Sequence, residues 1–452
     1  MILISGFILW TFALLNFSLR DLNRSIAFTV AESGIEYYRW HLAHSPLDYK
    51  DGTGNPGPYI HNYYDKDGSI LGQFILNITP PANGSTIVTI DSTGIPAADT
   101  SVQKIIRVKL GIPSFAKFAI VANDNLRFGT GTEVYGEVMS NKGIRFDALA
   151  HNVVKSALTT STDPDPPNDL AFGVHTHINP VDPTPTATSS PPNRPDVFMS
   201  GRQISVPAVD FAALNQDLAD LRNQASSSGV HFTSSTVFGY DLVFATSGKY
   251  SVYKVTSLVA PAQGCTSSSQ AGWGTWSIKT ESIFATGTNP ASGLFFFEDN
   301  LWVRGQVSST RATIGSGRFP DNAATRTNIT VNSDLKYTYY DGKDVIALMA
   351  QNNINVGMVS SSTLRIDAAI MAQNGRAGRF YYSSACAPYD IRQTLTSYGM
   401  IGSSLRYGFA YTDGTGYKTR NLIYDGNLLY GPPPSFPLAG QAYNQILWEE
   451  VK

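Results

Sequence analysis

The sequence predicts a mainly β protein: a leading transmembrane α-helix, a small β-meander, then a right-handed parallel β-helix (solenoid) broken by an inserted loop–helix–hairpin segment. Three observations point there. The opening run MILISGFILWTFALLNFSL is almost wholly apolar. Only 15% of residues are charged, while Gly, Ser, Thr, Asn, Tyr and Phe are plentiful, the composition of short strands and tight turns. Short apolar segments ending in polar corners also recur at offsets of 18 and 22 residues.

A chain of 452 residues exceeds one compact core. The expected segments are a membrane-spanning and amphipathic helix (1–44), a small β-sheet (45–112), the first part of the solenoid (113–158), an inserted Pro-rich loop, helix and hairpin (159–262), the second part of the solenoid (263–385) and a C-terminal capping region (386–452). The formal net charge is −2, which leaves no basic surplus to neutralise a phosphate backbone. Nucleic acid is therefore not an expected partner.

About 20 apolar residues in a helix span a bilayer core. Ile2, Leu3, Phe7, Ile8, Leu9, Trp10, Phe12, Leu14, Leu15 and Phe17 are the expected anchor, with membrane lipid as its partner. A cleaved secretory signal needs a basic start and a small-residue cleavage site, and neither is seen. A buried core helix has no need to be apolar all round. Arg20 and Arg24 follow the span and taken alone favour a cytoplasmic end, but long domains translocate largely regardless of charge. The body's composition argues for the outside. Beyond the span, Ile26, Val30, Gly34, Tyr37, Tyr38 and His41 keep near-helical spacing until Ser45-Pro46 ends the helix.

Within this stretch, Ala31-Glu32-Ser33-Gly34-Ile35-Glu36 resembles the AEAGIE signature of PilX-like pilus-assembly proteins. The resemblance implies a type IV pilin design, a long helix half in lipid and half packed on a globular head. It also implies pilin or pilus-assembly subunits as partners. The chain departs from pilin precursors in one place. Gly6-Phe7 mimics the cleavage point, but Thr11 stands where a pilin carries Glu and no charged leader precedes it.

Residues 72–78, 85–90 and 102–110 read as strands, with Gly84 and Gly94 in turns between them. Packing on residues 21–44 would cover the apolar face of this meander. The order of strand, TIDSTG and strand is similar to the small sheet of PilX-like proteins. Asp65-Lys66-Asp67-Gly68-Ser69 reads as a hairpin turn, because a calcium loop would need a closing Glu.

The solenoid rests on repetition. Asn125-Leu126-Arg127-Phe128 recurs as Gly143-Ile144-Arg145-Phe146, and Ala347-Leu348-Met349-Ala350-Gln351-Asn352 as Ala369-Ile370-Met371-Ala372-Gln373-Asn374. Stacked coils of about 20 residues bury what one coil cannot. Expected inward positions are Leu126, Phe128, Val134, Val138, Ile144, Phe146, Val345, Leu348, Ile354, Val356, Leu364, Ile366 and Ile370. The competing reading is an antiparallel sandwich with coincidental repeats. The stretches FAIVANDNLRFGTGTEVYGEVMSNKGIRFD, LFFFEDNLWVRGQVSSTRATIGSG, DLKYTYYDGKDVIALMAQNNINV and IYDGNLLYGPPPSFP resemble the bactofilin-like β-helix of an uncharacterised bacterial family of pilus-assembly proteins. That resemblance concerns architecture and supplies no catalytic residues.

Residues 159–207 break the pattern with a Pro-rich excursion. Phe211, Leu214, Leu218 and Leu221 then fall at amphipathic-helix spacing, and 237–244 with 249–255 form a hairpin around Ser247-Gly248.

Chemistry is sparse. His175-Thr176-His177 would put both rings on one side of a strand, within reach of one metal. No third ligand is identifiable beyond the available His151, so a solvated loop pair is the plainer reading, and no metal or cofactor is expected. Asp147, Asp299, Asp334, Asp344 and Asp367 are scattered rather than paired, and no nucleophile, phosphate-loop or metalloprotease motif appears. The expectation is a non-catalytic protein. Cys265 and Cys386 are either a structural disulfide or two buried thiols. Tyr337, Tyr339, Tyr340, Tyr381, Tyr382, Trp273 and Trp276 are candidate flat surfaces for sugars or protein partners.

The expected function is a membrane-anchored structural or assembly protein of the cell envelope, pilin-like or pilus-associated. The alternatives are a surface adhesin binding glycans or proteins, and a β-helix enzyme that degrades polysaccharide.

Overall fold

The structure is a computed structural model. It describes residues 2–451 apart from 83, 187–188, 212, 267–269 and 439–441, and leaves aside the side chains of 2, 3, 5 and 213–217. The chain divides into two units, Met1–Pro113 with Leu438–Lys452, and Ser114–Pro437.

The first unit is one helix on one sheet. Helix α1 (Ile2–His44) runs unbroken through the apolar stretch. Its second half packs Ala31, Ile35, Tyr38 and Leu42, three or four apart on one helix face, onto the sheet, with Val30 beside them. The last helical bond runs from Ser45 N–H to the His41 carbonyl, and the Tyr38 hydroxyl fastens the following turn by donating to the Asp48 carbonyl at 2.9 Å. The sheet is antiparallel, in the order β1 (Tyr59–Tyr64), β2 (Ile70–Thr79), β3 (Ile87–Pro96), β4 (Lys104–Gly111) and the C-terminal strand Asn444–Val451. Along β3, buried and half-buried residues alternate, as one covered face requires. The expected turn at 65–69 joins β1 to β2, with the Asp65 carboxylate accepting from the N–H groups of Asp67 and Ser69 at 2.8 Å each.

Three sequence expectations change here. Gly94 lies inside β3, not in a turn. A side chain there would overlap the Ala27 carbonyl, so glycine is what lets helix and sheet approach. β1 and the C-terminal strand were not read as strands; the latter pairs with β4 although more than 300 residues separate them. The membrane anchor also needs correction: among the described residues no helix is long and apolar enough to cross a membrane. The side chains of Ile2 and Leu3, expected at its start, lie outside the described residues.

The second unit is built from parallel ladders. The repeats read from the sequence are registers: Leu126 pairs with Ile144, and Ala347, Leu348, Met349 and Ala350 pair with Ala369, Ile370, Met371 and Ala372, all parallel. One ladder continues from Val230 through Phe295, Ile314, Leu348, Ile370, Ile401, Ile120, Val138 and Val154 to Arg202. The order is notable because Ile401 lies directly under Ile120. The chain enters mid-stack, adds layers towards Arg202, returns to the far end through α2 (Ala213–Ser228), and builds back until it meets its own first layer. A second ladder links Leu301, Ile329, Ile354 and Ala377, and a third links Leu335, Ile366, Ser397, Leu422, Val134 and Ala150.

The expected inward residues form one continuous core, with one exception. Val345 points to the opposite face of the first ladder, into a second core with Phe296, Met349, Met371, Leu218 and Leu221. That face is covered by α2 together with Phe115, Phe118, Leu428 and Phe436, which is why strands such as Val345–Ala350 are buried on both sides and show no alternation. Leu214, expected on the apolar stripe of α2, has its side chain outside the described residues. Asparagines stack at the corners: the Asn300 side-chain carbonyl accepts from Asn328 N–H at 3.0 Å, and that of Asn328 accepts from Asn353 N–H at 3.1 Å. Each amide thus satisfies the backbone of the next layer.

The hairpin of the inserted segment is Gly239–Ala245 with Lys249–Leu258, extended by a third antiparallel strand, Ile278–Thr288, that the sequence did not signal. The region 386–452 is not a single cap. Ile391–Ser403 and Gly416–Tyr424 continue the parallel ladders, and Asn444–Val451 belongs to the first unit's sheet.

Candidate functional site

The N-terminal half of α1 is the first candidate. From Phe7 to Leu22 every described side chain is exposed, among them Phe7 at 64%, Leu9 at 70% and Phe17 at 68%. Ile8, Trp10, Phe12, Leu14 and Leu15 are exposed with them. Within the run, the Thr11 hydroxyl is satisfied locally, donating to the Phe7 carbonyl four residues back. Water is a poor solvent for such a surface, since monomeric soluble proteins rarely leave a contiguous apolar patch this large uncovered.

The Ala31–Glu36 motif divides by face. Ala31, Gly34 and Ile35 are buried against the sheet, while Glu32 and Glu36 point out, Glu36 pairing with Arg39 at 2.6 Å. A side chain at Gly34 would meet Ser92 and Phe74. The motif's small residues are therefore a packing device.

The scattered aspartates do not converge. Asp344 accepts from the backbone N–H groups of Thr310, Thr338 and Tyr339, Asp299 from that of Ser235, and Asp367 from that of Tyr337. Each satisfies chain turns at the edge of a layer. Asp334 likewise accepts from Arg365 N–H. Of the aromatic candidates, Tyr337 and Tyr382 are buried, Trp273, Trp276 and Tyr381 are half-buried, and Tyr339 and Tyr340 are exposed. Cys265 and Cys386 are joined by a disulfide, with Cα atoms 4.7 Å apart.

An open groove of about 790 Å³ is lined by Arg127, Arg376, Arg406, Tyr411, Asp165 and their neighbours. Its charges are partly spent internally, because Asp165 pairs with both Arg127 (3.4 Å) and Arg406 (2.6 Å).

The histidine pair sits in a more organised setting than its sequence suggested. His175 is buried and its Nε2 lies 3.3 Å from Asp163 Oδ2; His177 Nε2 lies 3.9 Å from the same oxygen. Burial works against the Asp163 carboxylate, but the Asp165 N–H, His175 and Arg145 together hold it below its usual pKa. Sequence reasoning missed Asp163 because it lies in a Pro-rich stretch that reads as a linker. His151, the third ligand the sequence offered, instead stacks on Tyr135 and bonds to Glu133.

No protein-family model matches the sequence, and no curated protein matches it. Among solved structures, the chain is similar to the crystal structure of the competence-associated pilin ComZ from Thermus thermophilus, at 11% identity and a TM-score of 0.36, over 95% of this chain and 97% of that one. A likeness that remote carries no argument about fold or function.

Proposed function

We propose that this chain is a structural or assembly subunit of the cell envelope, pilin-like or pilus-associated and non-catalytic. The apolar half of α1 would be covered by membrane lipid before assembly and by the helices of other subunits afterwards. The observation that carries this reading is the split of α1: one half is fixed on a sheet by Val30, Ala31, Ile35, Tyr38 and Leu42, while the half before it is apolar and uncovered. The likeness of Ala31–Glu36 to the PilX-like signature agrees with this reading. The disulfide suits an oxidising, extracytoplasmic compartment. In this proposal the second unit is a right-handed parallel β-helix resembling bactofilin-like bodies and is displayed outside the cell.

Electron microscopy of surface filaments from cells carrying an epitope-labelled full chain tests the assignment. Label along or at the tip of filaments is the expected result; label confined to the cytoplasm would overturn it. The Arg- and Tyr-lined groove supports a second reading, an adhesin for acidic glycans. Glycan-array binding that is lost in Arg406→Ala would favour it.

A further inference from the structure

We propose that Asp163, His175 and His177 form a zinc site, with Asp169 as the fourth ligand. The three donor atoms all lie within 4.8 Å of one another. Around a tetrahedral zinc with ligands about 2.0 Å away, neighbouring donors stand about 3.3 Å apart. The His175–Asp163 spacing already has that value; His177 stands 3.9 Å from Asp163 and the spacings within the trio reach up to 4.8 Å, so the His177 ring would swing inward on binding.

The hydrogen bonds point the same way. His175 Nδ1 lies 3.0 Å from the Phe172 carbonyl, which can only accept, so Nδ1 carries the proton. His175 Nε2, on the side of the ring away from that carbonyl, then faces Asp163 Oδ2 at 3.3 Å. A backbone carbonyl on the far ring nitrogen is also the usual support of a metal-bound histidine. Asp169 adds the independent sign of a ligand. Its Oδ1 is enclosed, has no hydrogen-bond partner, and stands 3.7 Å from His177 Nε2.

The surrounding shell is complete. Asp163 Oδ1 accepts from Asp165 N–H at 3.0 Å, and Arg145 Nη1 reaches Asp163 Oδ2 at 3.2 Å. Arg145 Nε binds Asp147 at 2.6 Å, and Asp147 in turn accepts from His177 N–H at 2.7 Å. Among the side chains named around the site, Asp147, Asp163 and Asp169 outnumber Arg145, an excess of negative charge that a divalent ion would neutralise. Two imidazoles and two carboxylates suit zinc better than calcium or magnesium, which prefer all-oxygen shells. The ion would clip the hairpin Thr160–Thr162 with Leu170–Phe172 to the strand Val174–His175, which pairs with Ile144–Phe146.

The test is cobalt titration of tag-free, chelator-stripped full chain, read by visible absorption, with zinc added to displace it. One equivalent of cobalt with intense tetrahedral bands, displaced by zinc, is expected. His177→Gln should lower the affinity about tenfold or more and leave unfolding without metal unchanged; His151→Gln should bind as the parent does. Absence of the bands in the parent, or their retention in His177→Gln, would overturn the proposal. Should His177→Gln fail to fold, Asp169→Asn replaces it, and unchanged cobalt affinity in that variant would count equally against the site.

Discussion

Gly94 and Gly34 set how closely α1 lies on its sheet. Gly94→Val would press a side chain into the Ala27 carbonyl and should destabilise the first unit by about 2 kcal/mol. Denaturant unfolding of the full chain, followed at Trp448, checks this. Asp241 tests electrostatics at the same scale. It is fully buried, and burial and the neighbouring Glu281 raise its pKa to about 7 despite the Arg304 guanidinium 2.9 Å away. Asp241 and Glu281 share the one Arg304 guanidinium. Because the folded pKa lies above the unfolded value, this contribution to stability is complete below about pH 4 and is lost as pH rises through 7. Asp241→Asn should therefore flatten the fall in unfolding free energy over that window, measured by urea titration at its two ends. Neither residue was legible in the sequence. Gly94 looks like any turn glycine, and Asp241 sits in an apparent strand whose burial depends on a partner strand sixty residues away.

At the scale of elements, each layer of the second unit depends on its neighbours. Leu348, buried between Ile314 and Ile370, has no room to be lost: Leu348→Ala should cost about 3 kcal/mol, read as a lowered denaturant midpoint. Leu221, buried under α2 against the outward face of the ladder, should tolerate Met and reject Glu, which would strip the helix from Phe296 and Met349. The repeats at 126–146 and 347–374 were readable because paired layers carry matching residues at matching places. Ile391–Ser403 and Gly416–Tyr424 were not, since Thr, Ser, Tyr and Gly alternate there without an internal copy. Strands of two or three residues, such as Val174–His175, are too short to show any period.

For the whole molecule, the order of layers was the hidden feature. Nothing local says that Ile120 rests on Ile401, because a stack joined to its own beginning leaves no trace in periodicity. The disulfide spans 121 residues, so Cys265→Ser with Cys386→Ser should lower stability by up to about 4–5 kcal/mol in the chain-entropy view. Thermal unfolding of oxidised, reduced and substituted chains would show it. The histidine pair was visible in the sequence and its carboxylate partner was not, because folding alone brings Asp163 beside it. The larger claim is that the uncovered half of α1 needs a cover other than water. Vesicle flotation at high salt decides it, comparing the full chain with one lacking residues 2–20. The full chain should rise with the vesicles, and the shortened chain should stay below with an unchanged unfolding curve. A full chain that remains below as a dispersed monomer would contradict the assignment.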